Sequence, residues 1–463
     1  MLGTSQYPLF KKKYNKVNET HIHIRFSCVY FRNTLSSSTI HKINHILISM
    51  KNYLTPNHIR HALANLPIIT FEVTDACNLK CKYCGYGEFY NDYDERKDQK
   101  MPFQYAHVIL DYLLDFWNSN RNISSDRNVY IGFYGGEPLL NMPFVESVVE
   151  YVEKMPVHHR RFTFAMTTNA ILLDKYMDFL AEKQFSLLIS LDGNEFNDSY
   201  RVDKAGNPSF DRVVRNVNLL REHHPDYFRQ RVNFNSVLHN RNSVQDIHDF
   251  FKREYDKIPS IGELNNMGIR EDKRELFNMT YRNQVESLMQ SEHYEEIDKE
   301  RFISSPTYQS ACTFLHQYSD FVYRNYNELL YGKTKESGWI TGTCMPFGKK
   351  MFVTVNGKIL PCERIGQQFA LGTVNENGVA LDFDEIAEKY NHYFAKLESQ
   401  CKGCFNKQSC MQCIFNLNDL EEQPICKGCM NHTDFETYKA QNMAFLAANP
   451  EAYYRLMEEV FVE

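Results

Sequence analysis

From Leu66 onward the apolar and polar positions fall into a repeating pattern. Five short runs rich in β-branched and aromatic residues read as strands: PIITFEVT (67–74), VYIGFY (129–134), FTFAMTT (162–168), FSLLISL (185–191) and RVNFNSV (231–237). Between them, stretches 104–117, 142–154, 172–183, 209–222 and 243–254 carry apolar residues at helical spacing. Strand and helix alternating in this way predict a parallel β/α architecture. With at least five such units, the expected fold class is α/β, a partial (β/α)6 TIM-like barrel. Functional loops are then expected at the C-terminal ends of its strands.

The flanks are less regular. Residues 1–66 are polar and uneven, with a strand-like HIHIRFSCVYF, a helical TIHKINHILISM and a second helical stretch, TPNHIRHALANL, for which Thr55 is a plausible N-cap. They read as an N-terminal extension, either a small recognition module or a segment packed on the next domain. Residues 255–305 are charged and weakly periodic and read as a connecting helical segment that closes the core, 67–305. A cysteine-rich domain is expected over 306–434. The tail, 435–463, reads as a helix broken near Asn449-Pro450. The chain shows no internal repeat and no low-complexity tract.

Composition narrows the class. Hydrophobic residues make up 43% and charged residues 24% of 463, ordinary for a soluble globular protein. A net charge of −6 argues against a nucleic-acid binder, which shows a basic face. The first residues lack an apolar signal core, and no apolar run is long enough to span a bilayer. The thirteen cysteines are mostly clustered. Without a secretory signal such clusters read as metal ligands, and the expected compartment is a reducing, anaerobic cytoplasm. Cys28 reads as a small buried hydrophobe.

The chemistry is concentrated at Cys77, Cys81 and Cys84 in TDACNLKCKYCGY, a C-x3-C-x2-C spacing with Tyr83 just before the third thiol. Three thiolates in eight residues can hold three irons of a 4Fe-4S cube and leave the fourth open for a small molecule. A three-legged zinc site is the bland reading, but the spacing is not that of a zinc knuckle. The loop resembles the signature of the radical SAM superfamily. There the open iron chelates S-adenosylmethionine (SAM), and electron transfer splits it into methionine and a 5′-deoxyadenosyl radical. The resemblance extends to YGGEPLL (134–140), similar to that family's SAM-methionine motif. It implies close backbone approach at Gly135 and Gly136 and a Glu137 carboxylate that receives the SAM amino group. It further implies Asn169 in TTNA at the site, Ser190 and Asp192 in SLDG on the ribose, Arg201 on the SAM carboxylate, Val237 near adenine and Tyr83 beside the cofactor. As bland readings, Ser190 and Asp192 are turn residues and Arg201 is a surface charge. His107, Tyr86 and Glu88 read as ordinary loop or helix residues.

The C-terminal cysteines read as C-x12-G-x4-C, then C-x2-C-x5-C-x2-C, then C-x2-C: Cys344, Gly357, Cys362, Cys401, Cys404, Cys410, Cys413, Cys426 and Cys429. FVTVNGKILPCERIG (352–366) predicts a hairpin turning at Asn356-Gly357, with Cys362 after its second strand. In isolation 401–429 would suggest zinc knuckles. Joined to the triad, the region resembles the SPASM extension of radical SAM enzymes, which carries two auxiliary 4Fe-4S clusters. That resemblance implies one cluster on Cys344, Cys362 and Cys413. It implies a second on Cys401, Cys404, Cys410 and one of Cys426 or Cys429. The fourth ligand of the first is open between Cys312, the other terminal cysteine and no protein ligand. The central motif has x2 where the family's commoner form has x3.

The nearest resemblance is to SPASM-type peptide maturases that build thioether or carbon–carbon crosslinks in ribosomal peptides. Anaerobic sulfatase-maturating enzymes, which form formylglycine, are the alternative, and a zinc-binding scaffold without catalysis is a third reading. The implied partners are a ribosomally made peptide or protein and an external electron donor of flavodoxin or ferredoxin type, with no membrane and no nucleic acid. Residues 1–66 are candidates to grip a leader peptide by strand addition.

Overall fold

Six parallel strands form the centre of the molecule in chain order: β1 (Ile68–Thr74), β2 (Arg127–Gly135), β3 (Arg160–Thr168), β4 (Ser186–Ser190), β5 (Val232–Leu238) and β6 (Ser260–Glu263). The structure is a computed structural model and describes residues 53–123, 127–158, 160–319, 322–323, 329–330 and 341–460. Leu54–Glu463 form one compact unit. The strand and first helix expected within 1–52, and Cys28, lie outside the described residues.

The five predicted helices lie at Phe103–Trp117, Met142–Glu153, Leu173–Glu182, Phe210–His223 and Val244–Tyr255, each within a residue or so of its expected bounds. Each buries one apolar stripe. Ala106, Ile109, Leu110, Leu113 and Trp117 do so on the first, and Phe144, Val145, Val148, Val149 and Val152 on the second. They share one apolar core with alternate strand residues such as Ile69, Phe71, Val73, Val129 and Ile131, all fully buried. The sheet's other face is different. Thr70, Gly132, Ala165 and Ser186 stand side by side in register across β1–β4. That row of short side chains leaves a cavity of about 590 Å³, which Tyr134, Thr167, Leu188, Asn233, Lys350 and Glu363 also line. A TIM barrel fills this space with bulky branched residues; here it stays open.

One expectation is corrected. Residues 255–305 are not only a helical connection, because β6 pairs in parallel with β5 and completes the six-strand set. Ser260-Ile261-Gly262-Glu263 buries only Ile261, so it is too short and too polar to show an alternating pattern. Short helices at Arg274–Thr280, Gln284–Met289 and Tyr294–Arg301 follow.

Beyond β1 the sheet continues through the cysteine-rich region. Strand β7 (Met351–Val353) pairs in parallel with β1 and turns back as β8 (Lys358–Leu360). Strands β9 (Gly372–Asn375) and β10 (Gly378–Ala380) extend the edge. The hairpin turns at the expected Asn356-Gly357, where Gly357 has φ +77°. A 20-residue helix, Phe383–Lys402, follows and was not foreseen. The helix Pro56–Ala64, capped by Thr55 as expected, is held near it: Leu54 N–H donates to the Asn391 side chain at 2.8 Å, which donates back to the Leu54 carbonyl at 2.9 Å. The tail helix breaks at Asn449-Pro450 into His432–Ala448 and Pro450–Glu459. Tyr308, Ala311, Phe314, Leu315, Ala452 and Leu456 form a second apolar cluster there, with Cys312 against it.

A Cβ on Gly357 would stand 2.2 Å from the Val374 carbonyl, in a backbone conformation that side chains rarely adopt. Gly357→Ala is therefore expected to lower stability by about 1–3 kcal/mol, in the range of overpacking. Thermal unfolding beside wild type checks it.

Candidate active site

The loop after β1 carries Cys77, Cys81 and Cys84 across the C-terminal ends of the parallel strands. Its course is set by crowding against the second strand's turn. Gly136 N–H donates to the Thr74 carbonyl at 2.8 Å, and Glu137 N–H to the Ala76 carbonyl at 2.9 Å. A Cβ on Gly136 would lie 2.0 Å from the Ala76 oxygen, and one on Gly135, at φ +127°, 2.3 Å from the Thr74 oxygen. The close approach expected of these glycines is thus made to the cysteine loop's own backbone.

Glu137 is 1% exposed. Its carboxylate accepts from Leu139 N–H at 3.1 Å, Thr168 Oγ1 at 2.6 Å and Asn169 N–H at 2.8 Å. Burial raises its carboxyl above the usual range, and these donors oppose the shift. Asn169 Nδ2 reaches Cys77 Sγ at 3.6 Å and Asn78 Oδ1 at 2.7 Å. Leu79 N–H donates to Cys77 Sγ at 3.4 Å, and Arg96 Nη2 lies 3.8 Å from Cys84 Sγ. Three thiols on one loop, Cys77 facing two N–H donors and Cys84 a guanidinium, suit thiolate ligation of a 4Fe-4S cluster. Burial pushes the Cys77 thiol up and the Cys81 thiol to about 12, so ligation of a metal by these groups would release protons.

Tyr83 leads to the opposite wall. Its hydroxyl is bonded to Asp192 Oδ2 and accepts from Arg201 Nη1 at 2.9 Å. Asp192 is fully buried and also accepts from Val237 N–H at 2.9 Å. Its own N–H donates to Asp198 Oδ1 at 2.9 Å. His239 stacks on the Tyr83 ring at 5.6 Å and stands 3.7 Å from Asp192. Tyr83, Asp192, Arg201 and Val237 are therefore brought together, as one protein-internal network. Arg201 is buried and not a surface charge, and Ser190 ends β4 beside Asn235. Glu88 and His107 are the ordinary residues expected: Glu88 pairs with Lys273 at the surface, and His107 faces Asp111 on its own helix.

Tyr86 is not ordinary. Its hydroxyl donates to Glu72 Oε1 at 2.6 Å, while Glu72 Oε2 accepts from Val355 N–H at 2.9 Å in the β7–β8 turn. Glu72, Arg96, Asp198, His239, Lys350 and Glu363 were all missed. Glu72 had a signal: an acid inside the otherwise apolar run IITFEVT.

The C-terminal thiols fall into two neighbourhoods. Burial, and after it the nearby Cys413, Cys344 and Cys362, raises the Tyr390 hydroxyl above its ordinary range, so these three thiols share its surroundings. Cys401 is raised to about 12 by burial and by Cys410, Cys426, Cys404 and Cys429. Both terminal cysteines join the second set. Cys429 Sγ contacts the Gln400 carbonyl at 3.7 Å, and Cys426 N–H donates to Gln400 Oε1 at 2.9 Å. Cys312 lies apart, in the tail's apolar cluster. Among the described residues no three His, Cys, Asp or Glu side chains are grouped as for a single metal ion. No helix among the described residues is long and apolar enough to cross a membrane.

The model of the Radical SAM superfamily matches residues 71–253, so this stretch is a radical SAM domain. Radical SAM proteins use a 4Fe-4S cluster and SAM. The chain is 32% identical over 193 residues to a serine-type anaerobic sulfatase-maturating enzyme of Bacteroides thetaiotaomicron, covering 40% of this chain and 43% of that one, under half its length. It is 23% identical over 413 residues to a cysteine-type anaerobic sulfatase-maturating enzyme of Clostridium perfringens, covering 83% and 99%. A solved structure, native anSMEcpe with bound AdoMet, matches with TM-score 0.51 at 18% identity over 84% of this chain and 99% of that one. The same protein with AdoMet and Cp18Cys peptide matches at 0.50. These likenesses show the fold.

Two outcomes follow from this geometry. Thr168→Val removes one donor from a buried carboxylate and is expected to cost about 1–3 kcal/mol, read by chemical denaturation. Burial, with Asp192 close by, raises the Asp198 carboxyl, and Arg201 opposes it. The native state then holds this proton more tightly than the unfolded chain does, so stability falls as pH rises through the raised range. Melting temperature is expected to drop from mildly acidic to mildly basic pH in wild type, and less so in Asp198→Asn.

Proposed function

We propose that this chain is a radical SAM modifier of a ribosomally made peptide or protein. Cys77, Cys81 and Cys84 would hold the SAM-binding cluster, and the chamber would receive the carbon to be oxidised. The observation that supports it is the three-thiol loop at the C-terminal ends of the strands, with Asn169 reaching Cys77, over a barrel whose interior the Thr70, Gly132, Ala165 and Ser186 row leaves open to about 590 Å³ toward the strands' N-terminal ends. A 4Fe-4S cluster with SAM, when loaded, supplies the reductive cleavage that yields methionine and a 5′-deoxyadenosyl radical. Placing one substrate C–H against that group and excluding water is the protein's task.

Among the residues that line the chamber, Glu363 is the one carboxylate. Burial opposes its ionisation, but Lys350 at 2.9 Å more than offsets this and holds the carboxyl below the usual range. It is therefore ionised at neutral pH and placed to take the proton that an oxidised side chain releases. Ser190, Asp192 and Val237 would line the nucleoside side of SAM, Glu137, Asn169 and Arg201 its methionine side, with Tyr83 beside the cofactor. The two C-terminal sets of thiols are proposed as auxiliary clusters. A flavodoxin- or ferredoxin-type donor, a cytoplasmic setting and leader binding by residues 1–66 complete the reading. Unchanged turnover of a full-length precursor after deletion of 1–49 would remove that last role.

Two products are consistent with this site. A thioether or carbon–carbon crosslink is favoured by the x2 spacing before Cys413 and by a first auxiliary set of three cysteines, which leaves a position for a substrate thiolate. Formylglycine is favoured by the likeness to the Bacteroides and Clostridium enzymes. A crosslink removes hydrogen and leaves no carbonyl, whereas formylglycine gives an aldehyde that hydrazide reagents trap. Mass spectrometry of a Cys-rich precursor peptide and of a sulfatase peptide, with and without hydrazide, separates them.

The first test is metal content. Anaerobically reconstituted protein is expected to hold about twelve irons, and a triple Cys77, Cys81, Cys84→Ala variant about four fewer. Wild type should cleave SAM under reductant and the triple variant should not. Dominant zinc, or no iron lost in the variant, would replace this reading with a non-catalytic scaffold. Glu363→Gln is expected to lower product formation about 10²-fold or more while SAM cleavage persists.

A further inference from the structure

Arg96 occupies an unusual position in the loop that follows the three cysteines. Its guanidinium carbon lies over the Tyr86 ring, 4.1 Å from the centroid, and its Nη2 is 3.8 Å from Cys84 Sγ. Its Nε is buried and makes no hydrogen bond among the described residues. A guanidinium half-withdrawn from water needs a reason to be held there. Tyr86 is itself fixed twice. Its ring packs on Tyr93 at 4.8 Å, and its hydroxyl donates to Glu72, a β1 carboxylate buried to 2% exposure. The other Glu72 oxygen accepts from Val355 N–H, in the turn between β7 and β8. The second strand of that hairpin leads directly to Cys362.

We propose that Arg96 tunes the reduction potential of the cluster held at Cys84, and that Tyr86, Glu72 and the Val355 turn form the bracket that aims it. This rests on reading Cys77, Cys81 and Cys84 as cluster ligands. A cluster gains one negative charge when reduced. A fixed cation and an N–H donor beside one of its sulfurs stabilise the reduced form more than the oxidised form and raise the potential. The effect is larger where water is excluded. The cation–π contact with Tyr86 holds the guanidinium without neutralising it, as direct pairing with a carboxylate would. The bracket ends on the hairpin of the cysteine-rich region, so that region would set the electrostatics of the first cluster through Val355 with no cofactor in between.

Redox titration of anaerobically reconstituted full-length protein, followed by electron paramagnetic resonance, tests this in four forms: wild type, Arg96→Gln, Arg96→Lys and Tyr86→Phe, each with iron measured in parallel. To isolate the first cluster, the titrations are repeated on a background in which Cys401 and Cys413 are replaced by Ala. Arg96→Gln is expected to retain iron and to move the midpoint to lower potential. Arg96→Lys, which keeps the charge, should stay near wild type, and Tyr86→Phe should move the same way as Arg96→Gln by a smaller amount. An unchanged midpoint in Arg96→Gln overturns the proposal. So does loss of iron in both Arg96 variants, which would mark the residue as structural. An unchanged Tyr86→Phe removes the bracket. If wild type itself holds no iron at Cys77, Cys81 and Cys84, it is the radical SAM reading that fails, and the two failures are told apart by that control.

Discussion

Glu137 has been taken out of water and given three hydrogen-bond donors in exchange, and much of the site depends on that arrangement. An unpaired carboxylate in such a place would cost several kcal/mol. Here Leu139 N–H, the Thr168 hydroxyl and Asn169 N–H satisfy it. The donors come from the end of β3 and the start of the helical turn after β2, so one side chain closes two neighbouring loops onto each other. Asn169, fixed by this contact, in turn reaches Cys77 and Asn78 in the loop after β1. The ends of three consecutive strands are thereby locked around the first thiol. The glycine pair before Glu137 is needed because the cysteine loop's backbone passes where a Cβ would stand.

The chamber beneath has an equally simple origin. In a parallel sheet, residues paired in register form layers across the strands. Thr70, Gly132, Ala165 and Ser186 form one such layer, and none of them reaches far from its strand. Larger groups return nearer the cysteine loop, where Glu72 is paired with Tyr134. The barrel is thus sealed outward by Ile69, Phe71, Val73 and the helices, and left hollow inward. A hollow interior does not stabilise the fold, because its lining loses the contacts that close packing would supply.

Much of this was legible in the chain. The alternation of strand and helix placed five strands and five helices almost to the residue, because each helix buries a regular stripe and each long strand a continuous run. Asn356-Gly357 located the hairpin, because a tight turn needs the backbone freedom of glycine. What escaped was short or non-local. Strand β6 has four residues and one buried side chain, too little for a period. Tyr86 looked like a loop tyrosine because Glu72 and Val355, 14 and 269 positions away, give it meaning only once folded. The same holds for Glu363, which follows Cys362 in sequence but belongs to the chamber wall through Lys350. Arg201 and Asp192 were singled out from a family resemblance, yet in the fold they satisfy each other's neighbours through Tyr83 before any ligand is considered.

Two residues separate Tyr83 from Tyr86, and that interval determines how the cysteine loop is held. Tyr83 turns toward the ends of β4 and β5 and is bonded there to Asp192 and Arg201. Tyr86 turns toward β1 and the hairpin and bonds Glu72. Cys84 lies between two buried hydroxyls fixed to opposite walls. Its backbone is tied in as well, by its own N–H to the Cys81 carbonyl at 3.2 Å and by Gly87 N–H to its carbonyl at 2.7 Å. A loop pinned at both sides has little freedom left to lose when a metal binds, so the ordering entropy is already met by folding. Two side chains that look like incidental aromatics therefore hold the loop with its three thiols in place.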